Sequence, residues 1–178
     1  MINNIKVNTS DLREAAGKLK AGDRVLLSGT VFSARDAAHK KIVQLLREGK
    51  QLPFEINDAV IYYCGPTPAK PGMPIGSCGP TTSSRMDIFM PELLKLGLAA
   101  TIGKGPRSDK VRSLSAENGS LYLCAMGGAG AVAAQSITSC DVIAFDELGC
   151  ESVKKMTFKD FPLIVGYDIF GGSVFDKT

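Results

Sequence analysis

The chain has 178 residues, 44% hydrophobic and 22% charged, which is enough length to bury the core of one soluble domain. Its net charge of +3 comes from scattered basic residues with few aromatics among them, so it lacks the electrostatic footprint that nucleic-acid binding requires. The stretch Met1-Ile2-Asn3-Asn4-Ile5-Lys6 contains no signal-peptide run, and no segment approaches the about 20 apolar residues of a membrane span. A cytoplasmic protein with neither nucleic acid nor membrane as partner is expected.

Taken in order, Thr9-Ser10-Asp11 caps a short helix ending near Lys20. Residues 24–32 read as a strand. Ser33 and Asp36 form a capping-box pattern that predicts a helix over 34–47, with Ala38, Ile42, Leu45 and Leu46 as its core stripe. Residues 59–64 are a second strand. The loop 65–80, with five prolines and four glycines, is long enough to be functional. A helix is predicted over 82–96, a strand over 98–102, a helix over 109–116 and a strand over 120–125. A small-residue helix over 128–136 follows, then strands over 142–145 and 162–168. No repeat or second domain is visible, and the alternation predicts a single α/β domain.

Five cysteines (Cys64, Cys78, Cys124, Cys140 and Cys150) are widely spaced without a C-x-x-C pair, and His39 is the only histidine. This spacing offers no metal site and suits reduced thiols.

The chemistry concentrates at three junctions. Gly79-Pro80-Thr81-Thr82-Ser83-Ser84-Arg85-Met86-Asp87 packs hydroxyls and backbone N–H groups into the opening turn of a predicted helix, a position that favours anions. Arg85, one turn along, can clamp a carboxylate with two N–H groups. Arg35 follows the first predicted strand, and Lys104 lies in Ile102-Gly103-Lys104-Gly105 after a later one. Ligands of open α/β sheets sit outside the carboxyl ends of strands, so three cations there suit a dicarboxylate.

Lys104 does not complete a phosphate loop, because Gly105 stands where Ser or Thr is needed. Gly128-Ala129-Gly130-Ala131-Val132-Ala133 with Asp146 resembles a dinucleotide fingerprint, but close packing of a small-residue helix explains it equally, and two α/β units precede it. Asp36 reads as a helix cap or as the orienter of Arg35. His39 has no evident catalytic partner.

Six ordered blocks then carry a resemblance. They are Ser33-Ala34-Arg35-Asp36-Ala37-Ala38-His39-Lys40, Ile61-Tyr62-Tyr63-Cys64-Gly65-Pro66, Gly79 to Asp87, Ile102-Gly103-Lys104-Gly105, Met126-Gly127-Gly128-Ala129 and Ala144-Phe145-Asp146-Glu147-Leu148-Gly149. Over about 22–174 the chain resembles the β subunit, or C-terminal domain, of the iron–sulfur class I fumarases and tartrate dehydratases. The resemblance implies a swivelling β/β/α domain and a hetero-oligomer with an α subunit that holds a [4Fe–4S] cluster, whose open iron acts as a Lewis acid on a C4 dicarboxylate. This chain alone would bind no cluster, and its Gly128 segment would form a turn. Substrate-carboxylate ligands fall on Arg35, Arg85 and Lys104. Thr81 matches a residue proposed for proton transfer, a role that competes with simple orientation of a carboxylate. Asp36, His39, Gly79, Thr82 and Asp87 support the site. Cys150 stands where fumarases usually carry methionine, and Ser83-Ser84 varies a usually small position. Fumarate–malate interconversion is the preferred reaction, and tartrate dehydration to oxaloacetate the alternative.

Overall fold

The computed structural model describes residues 4–126, 128 and 130–176. Strand β1 (Asn4–Asn8) is followed by β2 (Arg24–Ser33), β3 (Val60–Tyr62), β4 (Ala100–Gly103) and β5 (Leu121–Cys124), each parallel to the one before. Strands β6 (Ile137–Ala144) and β7 (Val153–Tyr167) are antiparallel to each other. β7 also pairs antiparallel with both β5 and β2, so β2–β3–β4–β5–β7 closes into a ring, with β1 and β6 flanking it. The helices are α1 (Leu12–Ala16), α2 (Asp36–Arg47), α3 (Met90–Lys95), α4 (Asp109–Glu117) and α5 (Gly130–Gln135). Three 3-10 helices, Thr9–Asp11, Ser83–Phe89 and Asp146–Glu151, complete the fold. The result is one α/β domain whose mixed sheet forms a barrel-like closure.

The pleat of β3 shows why two apolar layers form. Val60 and Tyr62 point into the barrel with Val25, Leu27, Val31, Ile102, Leu123, Phe158 and Phe161. Ile61 and the following Tyr63 point outward, against Ala38 and Ile42 of α2 and Met90, Leu93 and Leu94 of α3. A strand buried on both faces reads as a continuous apolar run, as 59–64 does. Inside the barrel, Phe158 and Phe161 stack with centroids 4.3 Å apart, and both meet the Tyr62 ring edge-on.

Several boundaries differ from expectation for local reasons. Ser33 is the last residue of β2, and its hydroxyl accepts from Lys154 N–H at 3.0 Å, so it does not cap α2. The predicted 82–96 helix divides into the 3-10 helix Ser83–Phe89 and α3. Pro91 has no N–H and its ring would clash with the Asp87 carbonyl in a continuous α-helix, so an α-helix begins afresh at Met90. β6 and β7 are much longer than the predicted strands, and β1 had no counterpart. Gly127 and Ala129 of the glycine-rich segment lie outside the described residues; Gly128 lies in a turn with φ 79°, in line with the family resemblance, and from Gly130 the chain is helical. The strand after α5 runs antiparallel to β7 and does not join β5, so the parallel strand–helix–strand unit of a dinucleotide site is not built there. Gly130 is instead a packing residue: a Cβ there would stand 2.4 Å from Ser77 Oγ.

Phe158→Ala is expected to lower unfolding free energy by about 3–5 kcal/mol, because the surrounding rings and ring-closing strands cannot collapse into the space. Urea denaturation checks this, and a loss under about 1 kcal/mol would show that the barrel interior is not a sealed core.

Candidate functional site

The carboxyl ends of β2, β3 and β4 lie side by side, and the sequence-selected residues hang from them. Ala34 N–H donates to Tyr62 O at 3.2 Å and Tyr63 N–H to Ile102 O at 2.9 Å, so the three chain exits stay in register beyond the strands. Arg35 leaves β2, Thr81 returns from the loop after β3, and Lys104 leaves β4.

Arg35 occupies the N-cap position of α2 with extended φ/ψ of −116° and −161° and no side-chain cap bond. Its guanidinium lies over the end of β3, where Gly65 makes room: a Cβ at that position would be 2.8 Å from Arg35 Nη1. Asp36 begins α2 and turns its carboxylate toward Arg85, whose Nε donates to Oδ1 at 3.0 Å and whose Nη2 stands 2.9 Å from Oδ2. Arg35 Nη2 is farther from Oδ2, at 3.9 Å. Asp36 thus orients Arg85 more directly than Arg35, a departure from the sequence reading. Asp36 Oδ2 and Arg35 Nε are both buried without an aligned hydrogen-bond partner among the described residues, although each touches an opposite charge. Such groups at a rim fit a site completed by a polar ligand.

Thr81 is half-buried, and its N–H is taken by Tyr63 O at 2.6 Å. Thr82 is exposed and bridges to Lys104 as a parallel pair, while Ser83 N–H donates to Lys104 O at 2.9 Å. The opening turn therefore spends two of its N–H groups on neighbouring strands, and Thr82 caps nothing. These two N–H groups are therefore not free for an anion, where the sequence had suggested backbone donors. Gly79 packs toward Gly130, and Cys78 N–H donates to Gly130 O at 2.9 Å, which ties the loop end to α5. The Lys104 side chain is exposed, with no salt bridge or hydrogen bond found for its ammonium among the described residues.

Asp87 belongs to a different network. Its Oδ1 accepts from Arg107 Nε at 2.5 Å and its Oδ2 from Ser108 N–H at 2.7 Å. The Arg107 side chain is 1% exposed and also donates to Thr101 Oγ1 at 3.1 Å and to the Tyr63 hydroxyl at 3.3 Å. This buried pair fastens the 3-10 helix that carries Arg85 to the segment after Lys104. Arg107 had no sequence signal, because its partner lies 20 positions away in another element.

His39 is fully buried between the rings of Tyr63 and Phe89. Its Nδ1 lies 2.8 Å from Arg35 O, and a carbonyl only accepts, so Nδ1 carries the proton and Nε2 has no partner among the described residues. It therefore fixes the Arg35 backbone and is not placed to exchange protons with a ligand.

Among the described residues, no three His, Cys, Asp or Glu side chains converge as metal ligands. Burial, followed by a hydrogen bond with Cys78, pushes the Cys64 thiol well above its ordinary range, and burial also raises Cys124 and Cys140. Burial thus keeps these three as neutral thiols, and none of them belongs to a convergent ligand set among the described residues. The site itself is an open rim. Neither the 240 Å³ hollow lined by Asn4, Leu26, Cys124 and Ile164 nor the 350 Å³ hollow lined by Pro68, Ile75 and Cys150 includes Thr81, Arg85 or Lys104.

Comparison with known proteins adds to this geometry. The family described as Fumarase C-terminus matches residues 1–178. The chain is 39% identical over 167 residues to a putative L(+)-tartrate dehydratase subunit beta of Methanocaldococcus jannaschii, covering 90% of this chain and 86% of that one. It is 38% identical over 170 residues to fumarate hydratase 2 of Leishmania major, covering 94% of this chain and 30% of that one. With the anaerobic class I fumarate hydratase of Escherichia coli it shares 40% identity over 157 residues, 86% of this chain and 28% of that one. The chain thus spans most of the tartrate dehydratase subunit but less than a third of either fumarate hydratase.

Burial lowers the His39 pKa from 6.5 to about 4. Between those values the unfolded chain binds a proton that the folded chain refuses, so this contribution is complete above pH 6.5 and disappears as pH falls toward 4. The expected loss is about 3 kcal/mol across that window. Urea denaturation from pH 7 to pH 4 should show a steeper decline for the wild type than for His39→Gln; parallel curves would contradict a neutral buried imidazole.

Proposed function

This chain belongs to the fumarase C-terminus family, and from that premise we propose that it is the β subunit of a hydro-lyase acting on a C4 dicarboxylate. The observation that carries the reading is the gathering of Arg35, Thr81, Arg85 and Lys104 at the adjoining ends of β2, β3 and β4. Interconversion of fumarate and malate is the preferred reaction. Dehydration of tartrate to oxaloacetate is the second reading, favoured by the near full-length match to a separate tartrate dehydratase subunit.

In this reading Arg35, Arg85 and Lys104 hold the two substrate carboxylates, and the Thr81 hydroxyl either orients one of them or passes a proton at the neighbouring carbon. Asp36 keeps Arg85 aimed at the rim until substrate arrives. Rigid binding of both carboxylates removes much of the orientational entropy of the reaction. An open rim leaves these charges in water, where they are weak. Covering by a second protein surface would strengthen every one of them. The partner is an α subunit, which carries the [4Fe–4S] cluster and its Lewis-acid chemistry, a reading supported by the lack of three convergent ligands among the described residues here. The β/β/α domain swivels against that partner, and the assembly works in the cytoplasm.

The test is anaerobic hydro-lyase activity with fumarate and with tartrate, using this chain co-expressed with a cluster-bearing α subunit and each subunit alone. Turnover should require both, and activity of this chain alone would refute the shared site. Arg85→Ala should reduce turnover about 50-fold, the cost of about 2–3 kcal/mol of charge-assisted hydrogen bonding. Its side chain is 52% exposed, so the melting temperature should hardly change; a large drop would make Arg85 a structural residue.

A further inference from the structure

Helix α2 begins without a cap of its own, and the missing acceptor comes from 114 positions away. Glu151 Oε2 accepts from Ala37 N–H, in the first turn of α2, at 3.3 Å. The other oxygen, Oε1, stands 3.2 Å from Arg35 Nε, with the two side chains 21% and 23% exposed. The Nε–H is not aimed at that oxygen, so the contact is a pairing of charges. It fixes where the guanidinium lies while leaving its donors for a ligand.

Glu151 is itself held with unusual firmness. It ends the 3-10 helix Asp146–Glu151, which kinks at Gly149, where φ is 58° and ψ is −119°. The Lys154 ammonium, on a residue 8% exposed, fills the inside of this turn. It donates to Ser152 Oγ at 2.8 Å and lies 3.1 Å from Cys150 O, 3.2 Å from Ser152 O and 3.3 Å from Gly149 O. No carboxylate pairs with it among the described residues. Burying an ammonium without a counter-charge is costly, and here its geometric result is a rigid turn that presents Glu151.

We infer that Glu151 is the positioning residue of the Arg35 guanidinium, holding it from behind so that it faces a substrate carboxylate. The inference rests on the dicarboxylate reading above and adds a residue to that site which touches no substrate.

Glu151→Gln separates the two roles, because the amide oxygen can still accept from Ala37 N–H while the negative charge facing Arg35 is lost. In the complex with the cluster-bearing subunit, Glu151→Gln should raise KM for the dicarboxylate about three- to fivefold, with kcat within about twofold. On this chain alone, melting temperatures of wild type, Glu151→Gln, Arg35→Gln and the double variant should be non-additive, the double losing less than the two singles together. Additive losses overturn the inference, and so does an unchanged KM beside intact coupling, since the pair would then be structural only. A wild-type complex silent on both fumarate and tartrate removes the dicarboxylate reading and this inference with it. That outcome is distinct, because in every other case the wild type turns over.

Discussion

Because β7 is antiparallel to both β2 and β5, the four parallel strands between them cannot splay, and their carboxyl ends stay at one rim. The rim is where the chain must leave each strand, and each exit is pinned by a backbone hydrogen bond to its neighbour. Side chains two strands apart are therefore held near one another by the sheet and need no contact to converge. The same closure stacks Phe158 and Phe161 with Tyr62 inside the barrel, so the strands that lead to the rim share one apolar core.

Gathering cations at one rim has a cost that the neighbouring acids offset. Like charges brought close at a partly exposed rim repel one another. Asp36 stands between Arg35 and Arg85, and Glu151 stands behind Arg35. Among the described residues, Lys104 has only its backbone tied down. Two of the three cations are thus held by acids, and among the described residues the third is not.

The elements legible in the sequence are those with a continuous or regularly spaced apolar pattern. β3 stands out because both its faces are filled, and Ala38 and Ile42 of the expected α2 stripe are buried, whereas Leu45 and Leu46 stay half-buried and His39 and Val43 complete the buried face. β1 escaped notice since only Val7 of its five residues is buried, and the register against β2 rests on backbone bonds alone. β7 was half-hidden by its lysines, although Met156 and Phe158 alternate inward with Lys155 and Thr157 outward, as a strand with one wet face should. Arg35, Thr81, Arg85 and Lys104 could be picked out because each sits among small residues at a junction. Glu151, Lys154 and Arg107 could not, because their meaning lies in partners that only the closed sheet brings near. Local spacing also misassigned the Ser33 hydroxyl, which serves β7 and not the helix beside it.

The pairing of β2 with β7 joins early chain to late chain: Asp160 N–H reaches Ser28 Oγ across 132 positions. Parallel strands can associate as the chain elongates, but the ring stays open until its final strand has been made. Until then Val25, Leu27 and Val31 lack their covering partners, and an unpaired strand edge faces other chains. Topology of this kind raises contact order and defers stabilising contacts, which in general slows folding and leaves strand edges open to aggregation. The strand that seals the barrel therefore governs how the protein is made as well as how its rim is held.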